Sequence, residues 1–345
     1  MNHSDCFWPA EWHRQSAVQI SWPDEQTDWG NDLDEVLACY HEVAREITQR
    51  QTLIIVCRNP ATAQRQIKLA GLSRENMLFV EAPINDTWAR DYGPITLLCG
   101  GKPVLLDFKF NGWGLKYPAN YDNQITAKIY SSRILSDAAQ YRNHLNFVLE
   151  GGSIESDGQG TILTTTSCLL SPNRNGGYTR ADIEEALIGH LHAQRVLWLE
   201  NGQLAGDDTD GHVDTLARFC SVDAIAYVAC NDPADEHYAA LKHMEQELLQ
   251  FKTRAGDPYQ LIPLPMADAV LDDQGRRLPA TYANFLIING AVLVPFYGSP
   301  KDDLAVQILQ PWFRERNIIG IDSRALIKQH GSLHCMAMQY PEGVI

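Results

Sequence analysis

A basic face is missing from this chain. Its 28 Lys and Arg stand against 43 Asp and Glu, a net charge of −15, and no stripe of cations is present along which a phosphate backbone could track. Nucleic acid is therefore not an expected partner. No run of about 18 apolar residues occurs anywhere, and Met1–Glu11 lacks the apolar core of a secretory leader. A membrane partner is not expected either, and the expected compartment is the cytoplasm. The eight cysteines contain no Cys-x-x-Cys pair. Several, such as Cys57, Cys99 and Cys230, sit in apolar runs and read as buried, reduced side chains. No Pro/Gly/Ser-rich linker or low-complexity tract divides the sequence, so one catalytic domain spanning 1–345 is expected. The acidic surplus permits a cationic ligand, although solubility alone accounts for a global charge of this kind.

What is present is a strand–helix–strand rhythm. Leu33, Val36, Leu37, Tyr40, Val43, Ala44 and Ile47 repeat at three and four, predicting a helix over 31–50 with Asn31 or Asp32 as its cap. The continuous apolar run 52–56 predicts a strand covered on both sides. A helix over 60–70 and a strand over 77–80 follow, and the pattern returns with helices near 179–190, 234–251 and 302–315, each ahead of an apolar strand. Turn signals at Gly93-Pro94, Asp157-Gly158 and Asn289-Gly290 predict antiparallel hairpins inside each unit. The class is α/β, and a simple doubly wound parallel sheet is disfavoured. Asp91, Gly152, Asp214, Asn284 and Cys335 are separated by 61, 62, 70 and 51 residues, steps that suit supersecondary modules set around an axis. The last module is short, with 333–338 itself reading as its strand.

Four polar motifs carry the chemistry: Trp88-Ala89-Arg90-Asp91, Glu150-Gly151-Gly152, Gly211-His212-Val213-Asp214 and His334-Cys335. Together they supply a thiol, an imidazole and three carboxylates. Cys335 is the candidate nucleophile, because a thiolate is strongly nucleophilic and partly present near neutral pH. His212 and Asp214, two apart ahead of a β-rich run, are expected on one face of a strand. An imidazole there can protonate departing ammonia and then deprotonate water. A guanidinium keeps its charge and presents a plane of five donors, so a dry site needs carboxylates on its edges. Asp91 and Asp214 are the expected clamps, and Glu150 the partner of His212. Arg90 reads as a structural cation and Glu155 as solvated. Gly151-Gly152 is as well explained by a tight turn. The loop bearing Asp207, Asp208 and Asp210 can meet an ammonium or be an Asx-stabilised turn. Trp88, Trp113 and Tyr117 can wall an aliphatic slot. Other readings use the same residues: His-x-Asp also suits zinc, an amidinotransferase would pass the amidine to an amine, and a non-catalytic protein would only bind the cation.

The chain resembles the agmatine deiminase family, the bacterial peptidylarginine-deiminase-like proteins of the guanidino-modifying superfamily. The resemblance rests on Pro9-Ala-Glu-Trp12, Ser21-Trp-Pro23, Trp88-Ala-Arg-Asp-Tyr-Gly-Pro94, Asn111-Gly-Trp-Gly114, Glu150-Gly-Gly-Ser-Ile154, Asp157-Gly158, Arg174-Asn175, Asp208-Thr-Asp-Gly-His-Val-Asp214 and His334-Cys335. It implies a five-bladed α/β propeller with pseudo-fivefold symmetry, the pentein fold. It also implies Cys335 as covalent nucleophile, His212 as general acid and base, Glu150 as its partner, and Asp91 and Asp214 as guanidinium clamps, with no cofactor and no metal. Trp88 and Asp208 are further candidate substrate contacts. One departure is the His330-Gly-Ser-Leu333 stretch, where the family has a run of glycines. The expected activity is hydrolysis of agmatine to N-carbamoylputrescine and ammonia, a step of polyamine synthesis, with free or peptidyl arginine as the alternative substrate. Agmatine is favoured because it lacks the carboxylate for which arginine would demand a basic partner. The expected partner is a small cationic guanidino compound, and homo-oligomerisation stays open.

Overall fold

The apolar spacing of residues 33–47 produces the helix it predicts. In the computed structural model, which describes residues 6–345, Leu33–Thr48 is an α-helix that buries Val36, Leu37, Tyr40, Val43, Ala44 and Ile47 on one face. Residues 1–5 of the stretch Met1–Glu11 lie outside the described residues. Asp32 occupies the N-cap without a side-chain capping bond, and Asp34 and Glu35 place negative charge in the first turn. Asn59 caps the next helix, Pro60–Leu69, by accepting the Thr62 N–H at 3.1 Å. Thr179 and Asp182 cap Arg180–Leu191 reciprocally. Tyr238–Gln250 begins four residues later than expected. Lys301–Leu309 stops well before 315 because Pro311 has no N–H with which to extend it.

The strands form five separate sheets among the described residues, each of three or four strands. Every sheet repeats one pattern, an antiparallel pair extended by a parallel neighbour. Ile154–Ser156 and Thr161–Thr165 pair antiparallel, and Arg195–Leu199 then adds in parallel. Ala217–Ser221, Ala224–Ala229 and Gln260–Pro265 repeat this, as do Leu286–Ile288, Ala291–Phe296 and Asn317–Asp322. The short last module is completed from the other end of the chain: Ala337–Pro341 pairs antiparallel with Gln15–Ser21, which continues in parallel into Thr52–Cys57 and Met77–Glu81. Asp157-Gly158 and Asn289-Gly290 lie in hairpin turns as expected. Gly93-Pro94 does not; the hairpin of Ile95–Cys99 with Lys102–Lys109 turns at Gly100-Gly101, where φ is +56° and +76°.

The chain divides into two compact units. The first contains His13–Gly151 and Cys335–Ile345 together with Cys6, and its core includes the fully buried Trp29, Tyr40 and Ile47. The second contains Phe7–Trp12 and Gly152–His334 and packs around residues such as Phe219, Leu264 and Phe285. No helix of the described residues is long and apolar enough to cross a membrane.

The reading of all cysteines as reduced is corrected at one pair. Cys99 is disulfide-bonded to Cys6, because the strand Cys6–Phe7 lies beside Ile95–Cys99 and brings the Cα atoms within 4.0 Å. The remaining six are buried and not disulfide-bonded. Burial pushes the Cys57 and Cys220 thiols up to about 12, which suits inert core side chains.

Asp107, buried in Lys102–Lys109, accepts the Tyr141 hydroxyl at 2.6 Å. Burial pushes its carboxyl up to about 6, against the Tyr141 hydrogen bond that lowers it. A carboxyl raised in the folded state holds its proton more tightly than the unfolded chain does, so stability falls as pH rises from about 4 to 6. Above that window the whole cost, about 1–3 kcal/mol, is present. Asp107→Asn keeps an acceptor for Tyr141, and denaturant titrations should find it more stable than wild type by that amount at pH 7.5. The two proteins should converge near pH 4; an advantage that grows on acidification would contradict the assignment.

Candidate active site

In the first unit the short helix Ala89–Tyr92 organises the candidate residues. Trp88 is its N-cap and packs edge-on against Trp29 at 5.8 Å. Asp91, 3% exposed, accepts the indole N–H of Trp113 at Oδ2, 2.9 Å away. Cys335 is buried and not disulfide-bonded. It lies in a turn rather than on the expected strand 333–338, which begins only at Ala337. The reason is visible in the backbone: the Cys335 carbonyl accepts the Arg90 N–H at 3.0 Å instead of joining a sheet ladder. Arg90, expected as a structural cation, reaches from the same helix to Gln339 Oε1 at 2.5 Å and so anchors the strand after Cys335.

Glu150, wholly buried, approaches the same helix through its neighbour. A Cβ on Gly151 would lie 2.2 Å from the Arg90 carbonyl oxygen and 2.8 Å from Met338 Cε, so only glycine lets this backbone pass. The backbone segments that bear Asp91, Glu150 and Cys335, remote in sequence, are thereby gathered by contacts to residue 90 and to the strand that follows the cysteine.

The second unit holds His212 and Asp214, both wholly buried. They do not share a strand face, which corrects the expectation. His212 caps a 3-10 turn, Val213–Thr215, and the strand starts at Ala217. Local hydrogen bonds outcompete strand pairing here: Thr209 Oγ1 accepts the His212 N–H at 3.0 Å, and Thr215 Oγ1 donates to the His212 carbonyl at 2.8 Å.

Asp214 belongs to a dry ionic network. Its Oδ2 lies 2.6 Å from His334 Nδ1, and His334 Nε2 lies 2.6 Å from Glu11 Oε2. Arg218 binds Glu11 through Nη2 at 2.7 Å, Glu155 through Nε, and the Phe285 carbonyl at 2.6 Å. Asn284 ties the network to the backbone by accepting the His334 N–H at 3.0 Å and donating to the Asp214 carbonyl at 3.3 Å. Glu155, expected to be solvated, is 6% exposed and ion-paired, because the partner cation comes from a strand 63 residues away.

The electrostatics follow. Burial raises the Asp214 carboxyl, but the hydrogen bond and charge of His334, with the charges of His212 and Arg218, outweigh it and leave it below the usual carboxylate range. Asp214 is therefore held ionised. For Glu155 burial prevails over Arg218 and His334, and its carboxyl is raised. Glu11, Glu155 and His334 lie close enough to hold a metal ion. The Arg218 guanidinium already fills that role.

The loop 207–210 resolves into distinct parts. Asp207 accepts the Thr209 N–H at 3.1 Å and the Gly211 N–H at 2.6 Å, the Asx pattern of a turn. Asp210 pairs with Arg174 at 2.6 Å. Asp208 lies half-buried between them. A cavity of about 490 Å³ in this unit contains none of the predicted residues, and most of its charges pair internally, Arg277 with Asp235 at 2.9 Å and Lys301 with Asp268 at 2.8 Å.

Sequence reasoning missed Glu11, Arg218 and the role of His334. The available signals were a glutamate between aromatic residues at Trp8 and Trp12, and a lone arginine inside the apolar run 216–220.

The profile of the Porphyromonas-type peptidyl-arginine deiminase family matches residues 7–341. An agmatine deiminase of Ectopseudomonas mendocina is 34% identical over 96% of this chain and 95% of its own. Among solved structures, one from Porphyromonas gingivalis, provisionally named an arginine deiminase, is 50% identical, with a TM-score of 0.93 over 99% of both chains. An agmatine deiminase of C. jejuni with substrate bound is 35% identical, with a TM-score of 0.91 over 99% of this chain and 97% of that one. A dimethylarginine dimethylaminohydrolase from Pseudomonas aeruginosa, 11% identical with a TM-score of 0.51 over 95% of this chain and 100% of its own, shares the mixed α/β fold alone.

Proposed function

Since the chain belongs to the Porphyromonas-type peptidyl-arginine deiminase family, we propose that it hydrolyses agmatine to N-carbamoylputrescine and ammonia. The observation that carries the reading is the gathering of the backbone segments that bear Asp91, Glu150 and Cys335 about one short helix, together with an Asp214 held ionised. Relatives named agmatine deiminases over nearly their full length support it.

In this mechanism Asp91 and Asp214 hold the guanidinium edges, and the Cys335 thiolate adds to the central carbon. The carbon–nitrogen bond breaks, ammonia leaves with a proton from His212, and an amidino-cysteine remains. Glu150 orients His212 and stabilises its charged form. His212 then takes a proton from water, the hydroxide adds to the same carbon, and the carbon–sulfur bond breaks to return the thiolate. The bound cation favours the thiolate, since opposite charges within ~4–6 Å stabilise ionisation. Trp88 lines the aliphatic chain, and Asp208 pairs with the ammonium tail.

The same reading treats the two units as one catalytic domain and the five modules as blades of a propeller, supported by five sheets of one pairing pattern. It places the protein in the cytoplasm, where a catalytic thiol stays reduced; the Cys6–Cys99 disulfide argues the other way, since such bonds are rare there.

Arginine remains the competing substrate, favoured by the name of the Porphyromonas gingivalis structure. Ammonia release from agmatine, arginine and a blocked arginine peptide decides among them, with agmatine expected to be fastest. Turnover confined to arginine would refute the substrate assignment. Asp208→Asn should lower the agmatine-to-arginine preference by about tenfold, the scale of one charge-assisted hydrogen bond. An unchanged preference would reduce the loop to a turn.

A further inference from the structure

Gly112, Trp113, Gly114 and Leu115 take left-handed conformations in succession, with φ of +71°, +54°, +81° and +68°. Two of the four are not glycine, and L side chains resist this region because Cβ crowds the following carbonyl. Such strain persists only where the surroundings fix it, and it concentrates at working sites.

The fixing contacts are specific. The Asn111 side chain accepts the Gly114 N–H at 3.0 Å, and the backbone closes with Leu115 N–H to the Asn111 carbonyl at 3.0 Å and Lys116 N–H to the Gly112 carbonyl at 2.9 Å. A Cβ on Gly112 would sit 2.1 Å from the Tyr117 carbonyl oxygen, so glycine is required there. The Trp113 ring stands edge-on to Phe110 at 4.9 Å and to Tyr117 at 5.5 Å.

All this delivers one donor to one acceptor. Trp113 Nε1–H points at Asp91 Oδ2, 2.9 Å away, with the two residues 5% and 3% exposed. Reversing the hand of the turn would send the indole to the other side of the backbone. In a dry site a hydrogen bond to a charged oxygen is strong, and it fixes the carboxylate against rotation about its Cβ–Cγ bond. A planar guanidinium accepts pairing only from a carboxylate edge in its own plane.

We propose that Trp113 is a positioning residue for Asp91: the left-handed turn exists to hold its indole N–H on that carboxylate and so present a fixed edge to the substrate guanidinium. This rests on the reading of Asp91 as a guanidinium ligand. Asp91 binds the cation before and during reaction, so loss of the donor raises KM for agmatine more than it lowers kcat.

The test is a double-mutant cycle with Trp113→Phe and Asp91→Ala, which leaves the indole no acceptor, read as KM and kcat for agmatine beside thermal unfolding. Phe keeps the ring packing and removes the N–H. The expected result is a KM about 10-fold or more above wild type, the worth of a hydrogen bond to a charged group, with kcat within about threefold. In the Asp91→Ala background, Trp113→Phe should add little. A wild-type KM in Trp113→Phe, or effects that multiply independently across the cycle, would overturn the proposal. If Asp91→Ala itself leaves KM and kcat unchanged, the underlying reading of Asp91 fails, and the positioning role with it. Should Trp113→Phe not fold, 3-benzothienylalanine at position 113 replaces the N–H by sulfur in an isosteric ring and serves the same cycle.

Discussion

Cys335→Ser should release ammonia from agmatine about 10⁴-fold or more slowly than wild type, the scale seen when a nucleophile is removed from a site that keeps its other groups. A serine hydroxyl has no appreciable ionised fraction near neutral pH, and the basis of thiolate reactivity is lost. The fold should survive, because the contact that places residue 335 is its backbone carbonyl on the Arg90 N–H, which the substitution leaves in place. Acid quenching during turnover and intact-mass measurement should find an amidino adduct on wild type and none on the variant. Turnover within about tenfold of wild type would remove Cys335 from the reaction, whatever the fate of the fold.

Arg218→Met should produce the largest loss of stability. The arginine is wholly buried and is paired with Glu11 and Glu155. Burial lowers its own proton affinity, but the charges of Glu155, Glu11 and Asp214 prevail and raise it. Removing one partner of a buried ion pair strands the others without water, at a cost of about 3–5 kcal/mol. For a chain of this size the unfolding temperature should fall on the order of 5–10 °C. The triple variant Arg218→Met, Glu11→Gln, Glu155→Gln removes the stranded charges and should recover most of the loss. Denaturant titration of both proteins provides the check. A single variant within about 1 kcal/mol of wild type would mean that the pair behaves like a surface salt bridge.

The legible part of this protein is what the chain encodes locally. The helix Leu33–Thr48 follows from seven apolar residues at spacings of three and four. The mixed pairing of the sheets follows from apolar runs and turn dipeptides, and four polar motifs carry the candidate residues. Where local reading failed, a short-range competitor won: Thr209 and Thr215 hold the His212–Asp214 segment in a turn, and Arg90 takes the carbonyl that would have extended the strand through Cys335. The hairpin at Gly100-Gly101 was missed because the Gly-Pro signal seven residues earlier closes a helix instead.

By itself the sequence determined the α/β class, the helix faces, the inventory of thiol, imidazole and carboxylates, and the family, because periodicity and short motifs act over a few residues. Only the tertiary structure decided which charges are dry. Glu155 reads as solvated until Arg218 meets it across 63 residues, and His334 reads as a mere neighbour of Cys335 until Glu11 arrives from the far end of the chain. The Cys6–Cys99 bond and the indole on Asp91 belong to the same class. Each depends on two segments excluding water from a shared space, and no spacing within either segment carries that information.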